Sequence, residues 1–320
     1  MELTQLVVNN LPSCPACGSS VKKPWLSKES GGLKFNFDKC CICGTAYLNP
    51  PPSAESLESM YACRGHGSNS LTSFDEVMAS EVEFPNSTVD AQRMVNYAKK
   101  LLGPVQTGQP QALDIGSGYG FFSKAALEQG FQVRAVNPAT AENRIFQQLN
   151  GFEPIPLFFE EVDFGTEKFD LVILSQVLEH LLDPLQVLVK VRNLMKPKGV
   201  IAIAVPNVDA ILIKLFKSKS SFLGLPEHII HFSRNGLNAI LQRAGFDVNL
   251  HLYISRIPYY SISNRLNIHG RSRKLVNNFV RVSQWAPLLI SNWLGLGLFQ
   301  NVWAVPVRPS QETLARTPVA

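Results

Sequence analysis

The sequence predicts an α/β protein whose main part is a doubly wound, mostly parallel sheet and whose N-terminal part is a small metal-binding module. Between residues 112 and 205, apolar strand-like segments alternate with helix-like segments. Such alternation is typical of a parallel sheet with helices on both faces. A glycine-rich turn follows the first of these strands, and five of the six cysteines lie within the first 43 residues.

The glycine-rich turn lies in residues 112–120, which read ALDIGSGYG. The apolar run ends at Asp114, and glycines follow at positions 116, 118 and 120. Glycine permits positive φ angles and lets a ligand approach the backbone closely. A helix that starts at Phe121 leaves N–H groups free at its N-terminus. The spacing differs from the G-x-G-x-x-G pattern of dinucleotide-binding proteins. The segment therefore predicts a strand, a ligand-binding turn and a helix, in that order.

The remaining elements follow from hydrophobic periodicity and from residues that begin or end helices. Gly130 ends the first helix of the sheet domain, and Asp183 and Pro184 begin a later one as its N-cap and first residue. The predicted helices are residues 90–102, 121–129, 141–149 and 184–195. The predicted strands are residues 131–136, 155–158, 169–174 and 200–205. An apolar helix within residues 209–216 is interpreted either as a lid over the acceptor or as a helix packed at the sheet edge.

Several of these segments resemble one protein family in the expected order. The D-x-G-x-G-x-G pattern of Asp114–Gly120 resembles motif I of the class I S-adenosylmethionine-dependent methyltransferases. Phe169–Val172 and Val177–Pro184 resemble the fourth strand and following loop of the small-molecule members, and Pro226–Ser233 resembles the stretch before their sixth strand. The resemblance covers roughly residues 85–253. It implies a seven-stranded, Rossmann-like methyltransferase sheet, S-adenosylmethionine as cofactor, and methyl transfer as the reaction.

The candidate cofactor residues all fall at the carboxyl ends of the predicted strands, where open α/β sheets bind their ligands. By resemblance, motif I holds the methionine portion, the end of the second strand contacts the ribose, and the end of the fourth strand approaches the sulfonium. The implied cofactor residues are Asp114, Gly116, Ser117, Gly118, Tyr119, Gly120, Asn137, Pro138, Ser175 and Gln176, with an adenine contact from Glu160, Glu161 or Asp163.

One of these residues departs from the family pattern. Asn137 stands where the family normally carries an acid that binds the ribose hydroxyls. A neutral hydrogen bond is weaker than a charge-assisted one, and the difference is on the order of 1 kcal/mol. An aspartate at this position is therefore expected to tighten cofactor binding.

Three histidines map to loops at the same end of the sheet: His180, His228 and His231. Methyl transfer needs a base only where the acceptor loses a proton, and histidine suits that role near neutral pH. His231 follows the last long loop and is a candidate base or acceptor ligand, as is His228. His180 stands beside Glu179 in a motif that often shapes the pocket, so a structural role is its alternative.

The N-terminal cysteines form two Cys-x-x-Cys pairs, Cys14 with Cys17 and Cys40 with Cys43, separated by 22 residues. This spacing predicts a zinc site. Four thiolates complete a tetrahedral site with no open position, so the zinc would be structural. Cys41 is the alternative to Cys40, which is preferred because it keeps the two-residue gap. The segment resembles the zinc-ribbon leader found ahead of many bacterial small-molecule methyltransferases.

Charge is distributed unevenly along the chain. Residues 1–160 carry 12 basic and 15 acidic side chains, whereas residues 161–320 carry 18 and 10. No acid occurs in the 64 residues between Asp247 and Glu312. That run contains seven basic residues, Arg256, Arg265, Arg271, Arg273, Lys274, Arg281 and Arg308. They form either a solvated surface or a site for an anionic substrate.

The leading interpretation is O- or C-methylation of a small, anionic metabolite, such as a nucleotide-linked sugar or a saccharide precursor. One alternative is an RNA methyltransferase that binds phosphates through the zinc module and the basic C-terminal half. The segment Ser175–Leu178 lacks the Asn/Asp-Pro-Pro-Tyr/Phe signature of many base N-methylases, and the zinc segment lacks Arg clusters. A third interpretation is a non-catalytic S-adenosylmethionine-binding protein, suggested by Asn137.

The expected organisation has four parts: a zinc-ribbon-like module at residues 1–60, a linker and packing helix at 61–104, a cofactor-binding core at 105–254 and a basic C-terminal extension at 255–320. The first residues lack the basic region and apolar run of a signal peptide. The late apolar run at residues 286–299 is too short and too polar to span a bilayer. A cytoplasmic location is therefore expected, with a small-molecule partner and no nucleic acid.

Overall fold

The structure is a computed structural model that describes residues 11–64, 71–83, 86–104, 108–220, 223–225, 227–254, 290 and 292–307. The N-terminal part holds three antiparallel strands, β1 (Lys22–Ser30), β2 (Leu33–Cys40) and β3 (Ala46–Leu48). Three helices follow: α1 (Ala54–Arg64), α2 (Phe74–Glu83) and α3 (Asn86–Leu102).

The central part alternates strands and helices, as the sequence predicts. Its elements are β4 (Gln111–Ile115), α4 (Phe121–Glu128), β5 (Gln132–Val136), α5 (Thr140–Asn150), β6 (Phe169–Ser175), α6 (Pro184–Leu194), β7 (Met195–Pro206), α7 (Ile211–Phe216), β8 (Ile230–His231), α8 (Arg234–Arg243), β9 (Phe246–Ile254) and β10 (Phe299–Pro306).

The described strands of the large sheet run in the order β5-β4-β6-β7-β10-β9. The first four are parallel, and β10 is antiparallel to both of its neighbours. Ile155 forms a parallel bridge to Val136 and marks a seventh position beyond β5. The prediction of a mostly parallel, doubly wound sheet is therefore confirmed. The third strand, predicted at residues 155–158, is reduced to this one bridge because a 3-10 turn begins at Phe159.

The sheet is held by strands that are buried on both faces. Residues 171–174 of β6 and 200–203 of β7 are fully buried, which explains their continuous apolar sequence. On one face, Trp303 of β10 donates a hydrogen bond from its indole nitrogen to the Met94 carbonyl oxygen at 2.9 Å. This contact fixes α3 against the strand that the C-terminal segment adds to the sheet.

The N-terminal strands share a sheet with the central part. β3 pairs with β8, with Ala46 opposite His231 and Tyr47 opposite Ile230. Phe37 of β2 and Phe232 after β8 belong to one buried cluster. The sequence predicts a separate module at residues 1–60, and that boundary remains a prediction. The contacts show that the module's sheet is completed by residues of the core.

No helix in the portion of the chain covered by the structure combines the length and apolar character needed to cross a membrane.

Candidate active site

The glycine turn has the predicted shape. Gly116, Gly118 and Gly120 all have positive φ angles, of 65°, 53° and 92°. The Gly116 N–H donates to the Val136 carbonyl oxygen at 2.8 Å, so the turn is tied to the end of β5. A Cβ on Gly120 would lie 2.2 Å from Asn150 Nδ2 and 2.6 Å from Phe146 Cδ2. Glycine is therefore required at position 120 by both its backbone angle and its contact with α5.

Asp114 lies beneath the turn. The residue is 2% exposed, and its carboxylate accepts a hydrogen bond from Ser123 Oγ of α4 at 2.7 Å. Burial raises the pKa of Asp114 to about 7, and the Ser123 hydrogen bonds oppose the shift. In this geometry Asp114 connects β4 to α4, in addition to its predicted contact with the methionine portion of the cofactor.

The two non-glycine residues within the turn, Ser117 and Tyr119, differ in their surroundings. Ser117 is buried, and its hydroxyl has no hydrogen-bond partner among the described residues. Such a group is a candidate ligand contact, because buried polar atoms are normally satisfied. Tyr119 donates from its hydroxyl to the Leu71 carbonyl oxygen at 2.9 Å, so it connects the turn to the segment before α2.

A cavity of about 330 Å³ opens beside this turn, within the range of small-molecule sites. Its floor comes from the ends of β4, β5 and β6, and its roof comes from α1. The lining residues are Ala54, Leu57, Glu58, Tyr61, Ile115, Gly116, Val136, Asn137, Pro138, Ala139, Phe158, Phe159, Glu160, Glu161, Gln176, Val177, His180, Leu181, Leu182, Asp183 and Val187. The cavity thus lies where the sequence predicts the cofactor.

The predicted site residues divide into two groups with respect to this cavity. Those that line it are Gly116, Asn137, Pro138, Glu160, Gln176 and His180. Those that do not line it are Asp114, Ser117, Gly118, Tyr119, Gly120, Ser175, His228 and His231. Most residues of the second group belong to the turn itself or lie behind the residues that line the cavity. They determine the form of the site and do not face the cavity.

Asn137 has a carboxylate neighbour that the sequence interpretation missed. Its Nδ2 donates to Glu142 Oε2 at 3.2 Å and to Asn143 Oδ1 at 2.9 Å. Glu142 is 3% exposed, and its Oε2 lies 3.8 Å from the Cβ position of Gly118. An acid is therefore present beside the predicted ribose contact, on the first turn of α5 instead of at the end of β5. Its place in the first turn of the helix that follows Asn137 was the available signal.

The three acids predicted to contact the adenine lie in the loop before β6 and differ in whether they line the cavity. Glu160 and Glu161 line the cavity, whereas Asp163 does not; its carboxylate accepts from the Gly165 N–H at 2.8 Å. Glu161 accepts from the Phe158 N–H at 3.0 Å and so stabilises the loop. Lys190 of α6 donates to three carbonyl oxygens of this loop, at 2.8, 2.9 and 2.8 Å.

Gln176 has a backbone conformation that is uncommon for a residue with a side chain. Its φ is 57°, and its N–H donates to the Ala204 carbonyl oxygen at 2.8 Å. Left-handed backbone at a non-glycine residue costs free energy and is concentrated at functional sites. Here it places Gln176 on the cavity wall directly after β6.

His180 is the one predicted histidine on the cavity wall. Its Nδ1 lies 2.8 Å from the Tyr61 hydroxyl and 2.9 Å from the Glu227 carbonyl oxygen. Tyr61 in turn donates to the same carbonyl at 3.3 Å. Burial raises the pKa of Tyr61 well above its ordinary value, with Glu227 and Glu179 adding to the shift. Tyr61 is therefore a neutral phenol that holds the imidazole in place.

His228 and His231 continue a row of imidazoles behind His180. The ring centroids are 4.8 Å apart for His180 and His228 and 6.1 Å apart for His228 and His231. His231 is fully buried in β8, and burial lowers its pKa to about 3, with His180 and Lys28 adding to the shift. Its ring is 5.3 Å from that of Phe37. His231 is thus a neutral interior residue between the zinc module and the core.

The roof of the cavity was not anticipated from the sequence. Leu57 and Tyr61 of α1 lie four residues apart on one helix face and both contact the cavity. Their spacing was a signal for a buried face. It did not indicate what that face would cover, because Tyr61 and His180 are 119 residues apart in the chain.

The four predicted metal ligands converge. Cys14, Cys17, Cys40 and Cys43 have sulfur atoms that all lie within 4.8 Å of one another, and Cys41 is exposed and outside the group. The Cys14–Cys43 and Cys17–Cys40 sulfur distances are 3.7 and 3.5 Å. These are ligand-to-ligand separations of a tetrahedral site with zinc–sulfur bonds of about 2.3 Å. The residues therefore fit a structural zinc.

The module is anchored to α8. Arg243 donates to the Ala16 carbonyl oxygen at 2.8 Å, and Ser233 donates from its hydroxyl to the Cys43 carbonyl oxygen. A Cβ on Gly236 would lie 1.8 Å from Thr45 Oγ1. The zinc knuckles thus pack directly against the helix that follows the histidine row.

Two predictions concern the edge of the sheet and the C-terminal segment. α7 forms within the predicted stretch and buries Ile213 against Leu223 and Leu298; its residues do not line the described cavity, which favours edge packing over a lid. The seven basic residues of the acid-free run, and with them the predicted site for an anionic substrate, lie outside the described residues.

Comparison with known proteins agrees with this geometry. Residues 90–251 match the model of a methyltransferase domain family. Ubiquinone biosynthesis O-methyltransferase from Haemophilus ducreyi is 28% identical over 107 residues, which is 30% of this chain and 45% of that protein. The same enzyme from Histophilus somni is 26% identical over 109 residues, 31% of this chain and 46% of that protein. The chain thus spans under half the length of these relatives.

A solved structure shares the fold. Phosphoethanolamine N-methyltransferase 2 from Haemonchus contortus, solved in complex with S-adenosyl-L-methionine, has a TM-score of 0.53 at 17% identity, covering 88% of this chain and 71% of that one. The family match spans half of the chain and includes the glycine turn, the cavity floor and the histidine row. The chain therefore belongs to the methyltransferase domain family.

Proposed function

We propose that this methyltransferase transfers a methyl group to a hydroxyl oxygen of a small acceptor, on the side of the cavity where His180 lies. The observation that carries this proposal is the position of His180 on the cavity wall, held by Tyr61 and Glu227. A hydroxyl acceptor needs a group that removes its proton, whereas an amine or an activated carbon can become a nucleophile by other routes. Similarity to two O-methyltransferases supports the choice of oxygen.

We assign the proton of His180 to Nδ1. The Glu227 carbonyl oxygen, 2.9 Å from Nδ1, only accepts hydrogen bonds, and the Tyr61 hydroxyl can donate to that carbonyl oxygen instead of to Nδ1. Nε2 then carries the lone pair. A neutral imidazole with a fixed ring and a basic Nε2 is suited to accept a proton at neutral pH.

The reaction balances with these groups. The acceptor oxygen attacks the methyl carbon of the sulfonium in line with the carbon–sulfur bond. The carbon–oxygen bond forms as the carbon–sulfur bond breaks, and the electron pair stays on the neutral sulfur of S-adenosylhomocysteine. The acceptor proton passes to Nε2 of His180, directly or through one water molecule. Alignment of two bound reactants is the main contribution of the enzyme and is worth roughly 7–11 kcal/mol.

The cofactor residues are assigned as part of the same proposal. The backbone of Gly116–Gly120 and the Ser117 hydroxyl bind the methionine portion. Asn137 and Glu142 together bind the ribose, and Pro138 and Glu160 bind the adenine. Ser175, the last residue of β6, and Gln176, which follows it on the cavity wall, are assigned to the sulfonium end of the cofactor.

The acceptor class follows partly from charge. The cavity lining includes four acids, Glu58, Glu160, Glu161 and Asp183, and no lysine or arginine among the described residues. Since Glu160 is assigned to the adenine, this lining belongs mainly to the cofactor part of the cavity and does not set the charge of the acceptor. The proposal of an anionic acceptor, such as a nucleotide-linked sugar, rests on the acid-free basic run between Asp247 and Glu312. The proposed location is the cytoplasm, where the four zinc-binding thiols stay reduced.

The test uses purified, zinc-loaded protein and a panel of phenols, sugars and nucleotide-linked sugars. We expect calorimetry to detect S-adenosylhomocysteine binding, and we expect mass spectrometry to find an O-methylated product. His180→Gln should reduce turnover by on the order of 100-fold while cofactor binding persists. His251→Gln, at a half-buried histidine bonded to Gln300 at 3.1 Å, is the matched control. Methylation at carbon or nitrogen would refute oxygen as the acceptor atom, and full turnover by His180→Gln would refute the role of His180.

A further inference from the structure

A second group of metal-ligating side chains lies directly behind the cavity wall. Glu179, His180 and His228 each offer one ligand atom, and these atoms all lie within 4.8 Å of one another. We infer that a divalent first-row transition metal ion binds to these three residues. This inference rests on the proposed function, because the ion would act on the hydroxyl acceptor.

The local backbone brings the three residues together. Glu179 and His180 lie on a 3-10 turn after β6, and the Glu179 carbonyl oxygen accepts a hydrogen bond from the Ile229 N–H at 2.9 Å. The loop carrying His228 is thereby fixed against the turn. Gly224 lies under the His228 ring, where a Cβ would come within 2.3 Å of Nδ1. The imidazole is therefore packed in one orientation.

The ligand atoms are close enough to bind one ion after small side-chain rotations. Ligand atoms bonded at 2.0–2.2 Å to one ion are at most about 4.4 Å apart, and the three atoms here lie within 4.8 Å of one another. Three protein ligands leave coordination positions open, as in catalytic metal sites and unlike the closed four-cysteine site.

The surroundings of His180 match those of a metal ligand. Metal-binding histidines usually donate the other ring N–H to a carbonyl or carboxylate, which orients the ring and fixes the tautomer. His180 does so from Nδ1 to the Glu227 carbonyl oxygen, and Tyr61 contacts both atoms. Its buried Nε2 is then the ligand atom.

The donor set indicates which ions fit. Two imidazoles and one carboxylate suit Zn²⁺, Fe²⁺, Co²⁺ or Mn²⁺ better than a soft ion that prefers thiolates. His180 lies on the cavity wall, so an open coordination position can take the acceptor hydroxyl. The ion would lower the pKa of that hydroxyl and release its proton to water. In the metal-bound enzyme, Nε2 of His180 binds the ion, and release of the proton to water replaces the direct transfer to His180 that the proposed function describes.

Metal binding can be tested without turnover. Full-length protein with its four-cysteine site filled with zinc is titrated separately with Mn²⁺, Co²⁺ and Zn²⁺ in the presence of S-adenosylhomocysteine. We expect one additional ion per chain, seen by calorimetry and, for Mn²⁺, by loss of the free-ion resonance signal. Glu179→Gln and His228→Gln should each weaken this binding by at least tenfold. His251→Gln, which changes a histidine outside the group, should leave Mn²⁺ binding in place.

Two results would overturn the inference. One is the absence of any ion beyond the four-cysteine zinc in all three titrations. The other is unchanged affinity in both ligand variants, each first checked for native circular dichroism and for cofactor binding. Glu179 and the histidines would then be a metal-free ion pair. Because S-adenosylhomocysteine binding is measured in the same samples, failure of the metal site is distinguished from failure of the methyltransferase assignment.

Discussion

The Nδ2 atom of Asn137 donates a hydrogen bond to the carboxylate of Glu142 at 3.2 Å, inside the wall of the cofactor cavity. The sequence alone favoured a tightening of cofactor binding by Asn137→Asp, because an acid is usual at that position. The structure reverses this expectation. An aspartate there would place two carboxylates in direct contact within a buried site, and like charges at that distance disfavour ionisation of both.

Asn137→Asp should therefore weaken the fold and the cofactor site together. The expected loss is roughly 1–3 kcal/mol of unfolding free energy, measured by urea denaturation, with weaker S-adenosylhomocysteine binding in calorimetry. The matched variant exchanges the two groups, Asn137→Asp with Glu142→Gln, and should recover most of both quantities. Tighter binding by the single variant would show that Glu142 does not share the ribose contact.

Gly120→Ala is expected to damage the glycine turn through its contact with α5. Its Cβ would lie 2.2 Å from Asn150 Nδ2, in addition to the backbone cost of a positive φ of 92°. Gly130→Ala is the control, because its φ is 88° and nothing lies within 4 Å of its Cβ position. The control should lose about 1–2 kcal/mol from backbone strain alone. The Gly120 variant should lose more and should fail to bind S-adenosylhomocysteine; equal losses in the two variants would contradict a role for packing against α5.

Asp114 should make stability depend on pH in the cofactor-free protein. Its pKa rises from 3.8 to about 7 on folding because of burial, so the native state holds a proton that the unfolded chain releases. The resulting stability is fully present below pH 4 and is lost as the pH rises to about 7. Asp114→Asn removes this titration and keeps an acceptor for Ser123. The difference in unfolding free energy between the two proteins should change over pH 4–7 and stay constant above pH 8; a flat difference would mean that Asp114 is not shifted.

Zinc removal should reduce the stability of the segment that carries His228 and His231 before it affects the glycine turn. Cys17→Ser should lose the metal. Hydrogen exchange should then accelerate at residues 227–233, which pair with β3 and pack on the knuckles, and change little at residues 112–115 in the sheet interior. If the zinc module folded independently of the core, loss of zinc would unfold only the module. Unchanged protection at residues 227–233 would support that independence.

The elements that sequence reasoning located are those with local signals. The residues of the turn from Asp114 to Gly120 lie within a few positions of one another, and so do the cysteines of each pair. Their spacing in the sequence was therefore enough to predict the turn and the metal site. Glu142 and Tyr61 were missed because their roles arise from contacts between distant segments. The strand predicted at residues 155–158 had the right composition, but the loop held by Lys190 turns the chain away after Ile155.

The pairing of β3 with β8 has a consequence for synthesis of the chain. Thr45 and Ser233, which contact each other across this junction, are 188 residues apart. At 5–20 residues per second, the ribosome needs about 10–40 s to make the intervening segment. During that interval the outer edge of β3 has no partner from β8, and an open strand edge can pair with another nascent chain. Early zinc capture by the knuckles would hold β2 and β3 in register, so metal supply during translation is expected to set the yield of correctly folded enzyme.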